Sequence, residues 1–274
     1  MSDLRVLEVW RFPVKSLLGE RVERAELGVE GLAGDRGWAL FDVGTGFGLT
    51  ARRVPELLFA AGRLRPDGTA EVVLPDGTVT DDDAVLSRWA GRPVALRAAA
   101  AVHGPRRFEN PVDVEHEDTG RWDPFAGADG AFHDNADARV TLVSTGTLGG
   151  WDRRRFRANV VLGGAGEDEL VGRRVRLGTA ELDVVRRVPR CVMTTRPQAG
   201  GIGRDTAVLK TIHRERGGAL AVGALVVQPG ALAVGDTVVP AGVRSLSEEP
   251  GGGSVACAPS SSAPARRPSG SASC

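Results

Sequence analysis

The sequence predicts a mainly β fold of the α+β kind, closed in the manner of a barrel and carrying a few short helices. Three observations lead there. Glycine occurs 37 times in the 274 residues, and Asp-Gly pairs stand where tight turns need φ > 0. The apolar runs are short, and many alternate with polar residues in the period-2 pattern of half-buried strands. No long internal repeat occurs, which suits a barrel better than an array of βαβ units.

The elements follow in order. LRVLEVWRF at residues 4–12 and, more weakly, RVERAEL alternate as strands, and WALFDV makes a third. Asp67-Gly68 and Asp76-Gly77 flank EVVLP and predict a β-meander. DDDAVLSRWAG offers aspartates as N-caps, an apolar face through Val85, Leu86 and Trp89, and Gly91 as a stop, so one short helix is expected there. Residues 105–129 turn polar around VEHEDTGRWDPF and predict a connection or mobile loop. ARVTLVS resumes strand character, and STGTLGGWDRRRF reads as a helix entered through a Ser/Thr cap. NVVLGG, RRVRLGTAELDVVRRV, ALAVGALVVQPG and LAVGDTVVP supply further strands, with AVLKTIHRER as a second clear helix. From Gly242 onward Gly, Ser, Pro and Ala dominate, a composition too poor in large apolar residues to order itself.

Composition narrows the function. The 35 basic and 35 acidic residues cancel, leaving no long-range field to draw in nucleic acid or an anionic membrane surface. No apolar run approaches the roughly 18 residues of a membrane span, and MSDLRVLEVW is charged where a signal peptide is apolar, so a cytoplasmic protein is expected. Cys191, Cys257 and Cys274 form no CxxC and no zinc-type spacing. Lys15 and Lys210 are the only lysines among so many arginines, which makes a compact ammonium at position 15 a hint of an anion site.

Four segments combine a rigid backbone with anion-binding side chains. In RFPVKS, Lys15 and Ser16 present an ammonium and a hydroxyl together, as suits a phosphate, although a solvated strand end reads the same. GLAGDRGW delivers Asp35 and Arg36 from a glycine turn, either as a phosphate clamp or as a turn cap. VSTGTL places Ser144 and Thr147 at a helix start, where an ordinary cap explains them equally well. RRFRANVVL alternates Arg157 and Asn159 with apolar residues on an incoming strand, facing solvent or a ligand. In RCVMTTRPQAG, Cys191 beside Arg190 reads as metal ligand, nucleophile or core thiol. The scattered His103, His116, His133 and His213 read as structural or exposed, Asp134 as an Asx turn or pocket rim, and Glu167, Asp168 and Glu169 as a solvated loop. Trp10, Trp38 and Trp151 read as packing.

Taken together, RFPVKS, GLAGDRGW, LTARRVPEL, RFRANVVL and RCVMTTRPQAG, followed by LKT and VGDTVV, resemble the MOSC superfamily, named for the C-terminal domain of molybdenum cofactor sulfurase. The resemblance runs from about Leu4 to Pro240 and is greatest to bacterial relatives of the mitochondrial amidoxime-reducing component. It implies an N-terminal β-barrel module over 1–118 and a MOSC-type β-barrel over 119–241, with 242–274 as a disordered tail. It also implies a molybdenum–molybdopterin cofactor, with Cys191 as the catalytic metal ligand, since a thiolate is a soft donor for a metal already held by dithiolene sulfur. Carried over position by position, Lys15, Ser16, Arg36, Ser144, Thr147, Arg157, Asn159 and Arg190 become the cofactor-binding residues.

The implied activity is reduction of N-oxygenated compounds by electrons from a separate ferredoxin, flavodoxin or cytochrome b5-like donor with its reductase. A cofactor carrier or persulfide-based sulfur-transfer module is the alternative. Two departures stand out: Arg196-Pro197-Gln198-Ala199-Gly200 replaces an acidic segment, and RFRAN has Ala158 where relatives carry proline. Two tail cysteines are too few for an appended iron–sulfur cluster.

Overall fold

The chain's first strand already shows how the halves are joined. The computed structural model describes residues 4–104, 106–112 and 120–243. In the strand Val6–Arg11, Val6 and Val9 are buried and Leu7 is exposed. This strand pairs antiparallel with Glu20–Val22 on one side and, on the other, with Val160–Leu162, Val9 lying opposite Val160. It thereby enters an eight-stranded curled sheet in the order Val238–Val243, Arg173–Leu177, Ala180–Pro189, Ala219–Gln228, Val140–Ser144, Val160–Leu162, Val6–Arg11, Glu20–Val22. Only Val140–Ser144 and Val160–Leu162 run parallel within it. Val9, Val140, Leu142, Val160, Leu162, Leu182 and Val222 fill its interior with no measurable exposure, each such side chain contributing about 1.5–3 kcal/mol by leaving water. Arg24–Gly28 pairs with Gly230–Ala233, a second tie between the chain's beginning and end.

A separate core gathers Val14, Leu17, Leu40, Leu57, Val72 and Leu86. Around it Trp38–Asp42 pairs with Val94–Ala98, and Ala61–Leu64, Ala70–Val73 and Val79–Thr80 form the predicted meander. Its turns carry Gly68 and Gly77 at φ 84° and 87°. Helix α1, Asp83–Ala90, begins at Asp82, whose side chain accepts from the Ala84 amide at 2.6 Å, and stops at Gly91 with φ 66°.

Three sequence expectations change. The stretch read as one helix from Ser144 is a four-residue α2, Thr145–Leu148, followed by a separate 3-10 turn at Arg153–Arg155 that Asp152 caps. Gly149-Gly150 interrupts it, Gly149 taking φ 55° and ψ −121°, which no helix continues. Within 105–129, Arg107–Pro111 and Trp122–Ala126 form an antiparallel ladder rather than a loop. Phe108 drives this by burying its ring against Phe41 and Phe132. Glu167 is not solvated but fully buried, and Asp168 pairs with Arg216 at 2.7 Å and Arg187 at 3.3 Å. Helix α3, Thr206–Arg216, stands where predicted, capped by Asp205 and ended by Gly217 at φ 63°. The final strand runs through Val243, and the remainder of the predicted tail, with Cys257 and Cys274, lies outside the described residues, as does His116. Among the described residues no helix is long and apolar enough to cross a membrane.

Candidate functional site

After Arg11 the chain leaves the large sheet at Phe12 and crosses to the second core, where Val14 and Leu17 are buried. The crossing is pinned by Lys15 N donating to the Trp38 carbonyl at 2.8 Å and Trp38 N donating to that of Pro13 at 3.0 Å. Between the buried Val14 and Leu17, Lys15 is left only 5% exposed. Its Nζ donates to the Phe132 carbonyl at 3.1 Å, pairs with Asp134, and lies 4.9 Å from the Phe108 ring centre. The Lys15 ammonium holds the Asp134 carboxyl well below the usual carboxylate range. Ser16 adopts φ 69°, and its Oγ accepts from Ala51 N at 3.0 Å, which leaves the hydroxyl hydrogen to donate elsewhere.

The glycine turn lays Asp35 and Arg36 against this crossing. Gly31 is required there, because at φ 100° an added Cβ would stand 2.7 Å from the Arg139 carbonyl oxygen. Arg36 N donates to the Phe12 carbonyl at 2.7 Å, and Phe132 N donates to that of Arg36 at 2.8 Å, so three distant segments meet here. Asp35 is fully enclosed; one oxygen accepts from Phe12 N at 2.7 Å and the other pairs with the Arg36 guanidinium. Arg36 also donates to the Arg157 carbonyl at 3.4 Å. The guanidiniums of Arg36 and Arg157 lie 5.1 and 4.5 Å from the Phe12 ring centre. Burial, reinforced by the Arg36 charge, brings Arg157 down to about 9.

Cys191 follows the strand Ala180–Pro189 and is exposed. Its carbonyl accepts from Thr194 N at 3.1 Å and Thr194 Oγ1 at 3.0 Å, which closes the tight turn Val192–Thr195 behind it. Arg190 donates to the carbonyls of Leu220 at 2.7 Å and Phe156 at 2.9 Å, while its remaining Nη2 is buried with no partner among the described residues. Burial lowers Arg190 to about 10, and its field couples to Cys191, Arg36 and Asp134. Lys15, Arg36, Arg157 and Arg190 therefore oppose Asp35 and Asp134, four positive charges against two negative. An anion is the natural complement to that surplus and to the orphaned Nη2.

The backbone points to the same place. Among the described residues, the non-glycines at positive φ are Ser16, Arg36, Arg157 and Ala221, at 69°, 51°, 51° and 75°. Three are predicted anion-binding residues, and Ala221 follows the carbonyl that receives Arg190 Nε. Each such conformation costs on the order of 1–3 kcal/mol and persists where surrounding structure holds it.

Three sequence-predicted residues are not part of this cluster. Asn159 is fully buried, its Oδ1 accepting from Thr141 N and Oγ1 at 3.1 and 3.0 Å and its Nδ2 donating to the Trp10 carbonyl at 3.2 Å. It stitches the first strand to the sheet and cannot turn to a ligand without breaking that ladder. Ser144 is equally buried and accepts from Thr147 N at 3.1 Å as the cap of α2. It lies opposite Leu162, at the far end of its strand pair from Arg157. Thr147 lines a different hollow of about 590 Å³ with Glu167, Asp168, Thr211 and Arg216. Conversely, Asp35 and Asp134 belong to the site more fully than their sequence context suggests. Their short local turns concealed partners 23 and 119 residues away.

Arg155 was not singled out either, yet it donates to the carbonyls of Thr194 at 3.1 Å, Arg196 at 3.4 Å and Gly203 at 2.8 Å. One planar fork thus clamps the segment that follows Cys191. In a background lacking Cys257 and Cys274, Arg155→Ala should destabilise the protein by about 1–2 kcal/mol and raise the rate of Cys191 alkylation severalfold. Arg155→Lys should recover only part of both, because a single ammonium cannot reach all three carbonyls. Unchanged stability and alkylation in Arg155→Ala would remove it from this role.

His133 is 4% exposed, and its Nε2 donates to the Glu30 carbonyl at 2.8 Å. Burial, with the Arg36 charge, lowers it from 6.5 to about 4. The unfolded chain therefore takes up a proton below pH 6.5 that the folded protein refuses until about pH 4. Stability from this group is present above 6.5 and lost across that window, at most about 3 kcal/mol. Urea midpoints measured from pH 7 to pH 4 should fall less steeply in His133→Gln than in wild type.

The fold and site define a mainly β protein whose cation cluster lies beside the exposed Cys191 thiol. Residues 3–88 match the model of the MOSC N-terminal beta barrel domain and residues 129–239 that of the MOSC domain, so the chain belongs to the MOSC superfamily. Among solved structures it is similar to the YuaD protein from Bacillus subtilis, at 11% identity and TM-score 0.40, over 86% of this chain and 94% of that one. It is also similar to YiiM from Geobacillus stearothermophilus, at 16% identity and TM-score 0.31, over 50% and 72% of the two chains. No curated protein matches the sequence.

Proposed function

We propose that this MOSC protein is a molybdenum-cofactor-dependent reductase of N-oxygenated compounds, akin to the amidoxime-reducing component and supplied with electrons by a separate donor protein. The observation that carries the reading is the convergence of Lys15, Arg36, Arg157 and Arg190, with two surplus positive charges and an unpartnered buried Nη2, beside the exposed Cys191 thiol. The residues fit the group. The cation cluster suits a terminal phosphate, with Lys15, Arg36 and Arg157 as its charged contacts and the Ser16 hydroxyl as a further donor. Among the described residues no cluster of three or more His, Cys, Asp or Glu is placed to hold a bare ion. Cys191 is a single soft donor, suited to a metal that brings dithiolene sulfurs of its own.

When bound, the cofactor supplies two-electron redox chemistry, by which an N–OH group takes up two electrons and two protons and leaves as N–H and water. The protein's own contribution is to neutralise the phosphate, to fix the thiol through the Val192–Thr195 turn, and to keep that turn closed with Arg155. The test is expression in a host that makes the cofactor, followed by metal analysis and turnover of an aromatic amidoxime with a reduced small-molecule dye. Stoichiometric molybdenum with formation of the amidine supports the reading. Absence of molybdenum overturns it. Retained metal without turnover, together with cyanide-releasable sulfur on Cys191, moves the sulfur-carrier reading ahead.

A further inference from the structure

On another side of Phe12 lies a cavity of about 190 Å³, walled by Trp10, Phe12, Leu18, Ala61, Ala158 and Val161. Lys15, Asp134, Arg190 and Cys191 are not among its lining residues, so it lies apart from the thiol and shares only Phe12 and Arg157 with the residues described around the cation cluster. Its size is that of one aromatic ring, since an apolar cavity of about 150 Å³ takes up benzene. The walls are held in place before any ligand arrives. Trp10 Nε1 donates to Glu8 at 2.7 Å, and the Arg153 guanidinium lies 4.4 Å from the Trp10 ring centre. Gly19 lets the Phe12 ring lie flat on its neighbour: a Cβ there would stand 2.5 Å from Phe12 Cδ1 and 2.4 Å from the Arg11 carbonyl oxygen.

Arg153, Arg154 and Arg157 complete the lining. Arg153 pairs with Glu8, and Arg154 pairs with Asp152 at 2.6 Å. Arg157 donates to the Leu17 carbonyl and has no carboxylate partner among the described residues. The lining thus couples a ring-sized apolar space to one arginine that makes no direct ion pair among the described residues.

We propose that this cavity is a binding site for a small aromatic carboxylate, its ring enclosed by Trp10, Phe12, Ala61 and Val161 and its carboxylate held by Arg157. The ring gains apolar burial and stacking, and the carboxylate gains a charge-assisted, planar match to the guanidinium. Neither half suffices alone, because a bare carboxylate leaves the cavity unfilled and a neutral ring leaves Arg157 without a direct ion pair. The site shares Arg157 with the phosphate contacts proposed above and to that extent rests on that reading, so benzoate is expected to bind at full strength in the cofactor-free protein and more weakly in the loaded one.

The test is saturation-transfer NMR and calorimetry on the full-length protein, produced with and without the molybdenum cofactor, using benzoate, benzyl alcohol and acetate as probes. Benzoate should bind saturably in the millimolar range or tighter, with benzyl alcohol and acetate each roughly tenfold or more weaker, the loss expected from one charged hydrogen bond or one buried ring. Ala61→Leu, which fills the cavity from a half-buried strand position, should abolish benzoate binding while leaving the melting temperature and the metal content unchanged. Benzoate binding that survives in folded Ala61→Leu places the ligand elsewhere and overturns the proposal. So does benzyl alcohol or acetate binding as tightly as benzoate, or no saturable binding at millimolar benzoate.

Discussion

On the reading proposed above, replacing Cys191 with serine should leave the fold as it is and remove molybdenum-dependent turnover. The thiol is exposed, and its residue's structural work is done by the carbonyl that Thr194 contacts. The stability change should therefore stay within about 0.5 kcal/mol, the usual range for surface substitutions. A hard hydroxyl is a poor exchange for a thiolate on a soft, sulfur-bound metal. Because outer partners of metal ligands alone are worth roughly 10- to 100-fold, the loss at the ligand itself should be at least about a hundredfold. The measurement is turnover per molybdenum in the purified variant, alongside its melting temperature. Wild-type turnover in Cys191→Ser would take the metal away from this thiol.

The largest stability effect should come from Asp35→Ala. This carboxylate has no exposed surface, satisfies the Phe12 amide and balances the Arg36 guanidinium. Its removal strands a buried N–H and leaves a buried cation beside Arg157 without its nearest counter-charge. Breaking one side of a buried pair costs about 3–5 kcal/mol, a large share of the roughly 5–15 kcal/mol that holds a domain together. Asp35→Asn keeps an acceptor for Phe12 N and should recover part of the loss, mainly the amide's share. Urea unfolding of the three proteins checks this. A deficit under about 1 kcal/mol in Asp35→Ala would show that the Arg36 charge is compensated some other way.

What could be read from the sequence was what short stretches decide by themselves. The meander around Gly68 and Gly77, helix α1 between Asp82 and Gly91, and α3 between Asp205 and Gly217 stand where turn and cap chemistry put them. Lys15, Arg36, Arg157 and Arg190 do come together, and their motifs were read as a set rather than singly. The residues whose surroundings the sequence did not convey share a cause. Ser144 and Asn159 have side chains of the right type for a ligand, but burial and pairing across the sheet occupy them. Asp134 stayed open between a local turn and a pocket rim because nothing near it in sequence announces Lys15, and Glu167 looked solvated because its enclosure comes from elsewhere in the fold. The ladder of Arg107–Pro111 with Trp122–Ala126 was hidden by a polar surround, with Phe108, Trp122 and Phe125 as its large apolar signals.

The pairing of Val6–Arg11 with Val160–Leu162 has a consequence for how the protein is made. Its two partners lie about 150 residues apart in the chain. At ribosomal speeds of roughly 5–20 residues per second, the first strand waits on the order of 10–30 s for its inner neighbour. During that interval Val6 and Val9 have only the short Glu20–Val22 strand beside them, and one whole edge of backbone donors and acceptors is open. The nascent chain is then most exposed to mispairing with other copies of itself, and the interval ends only when residues near 160 emerge. Slower translation before that point should raise the insoluble fraction, whereas slower translation after Leu162 should not.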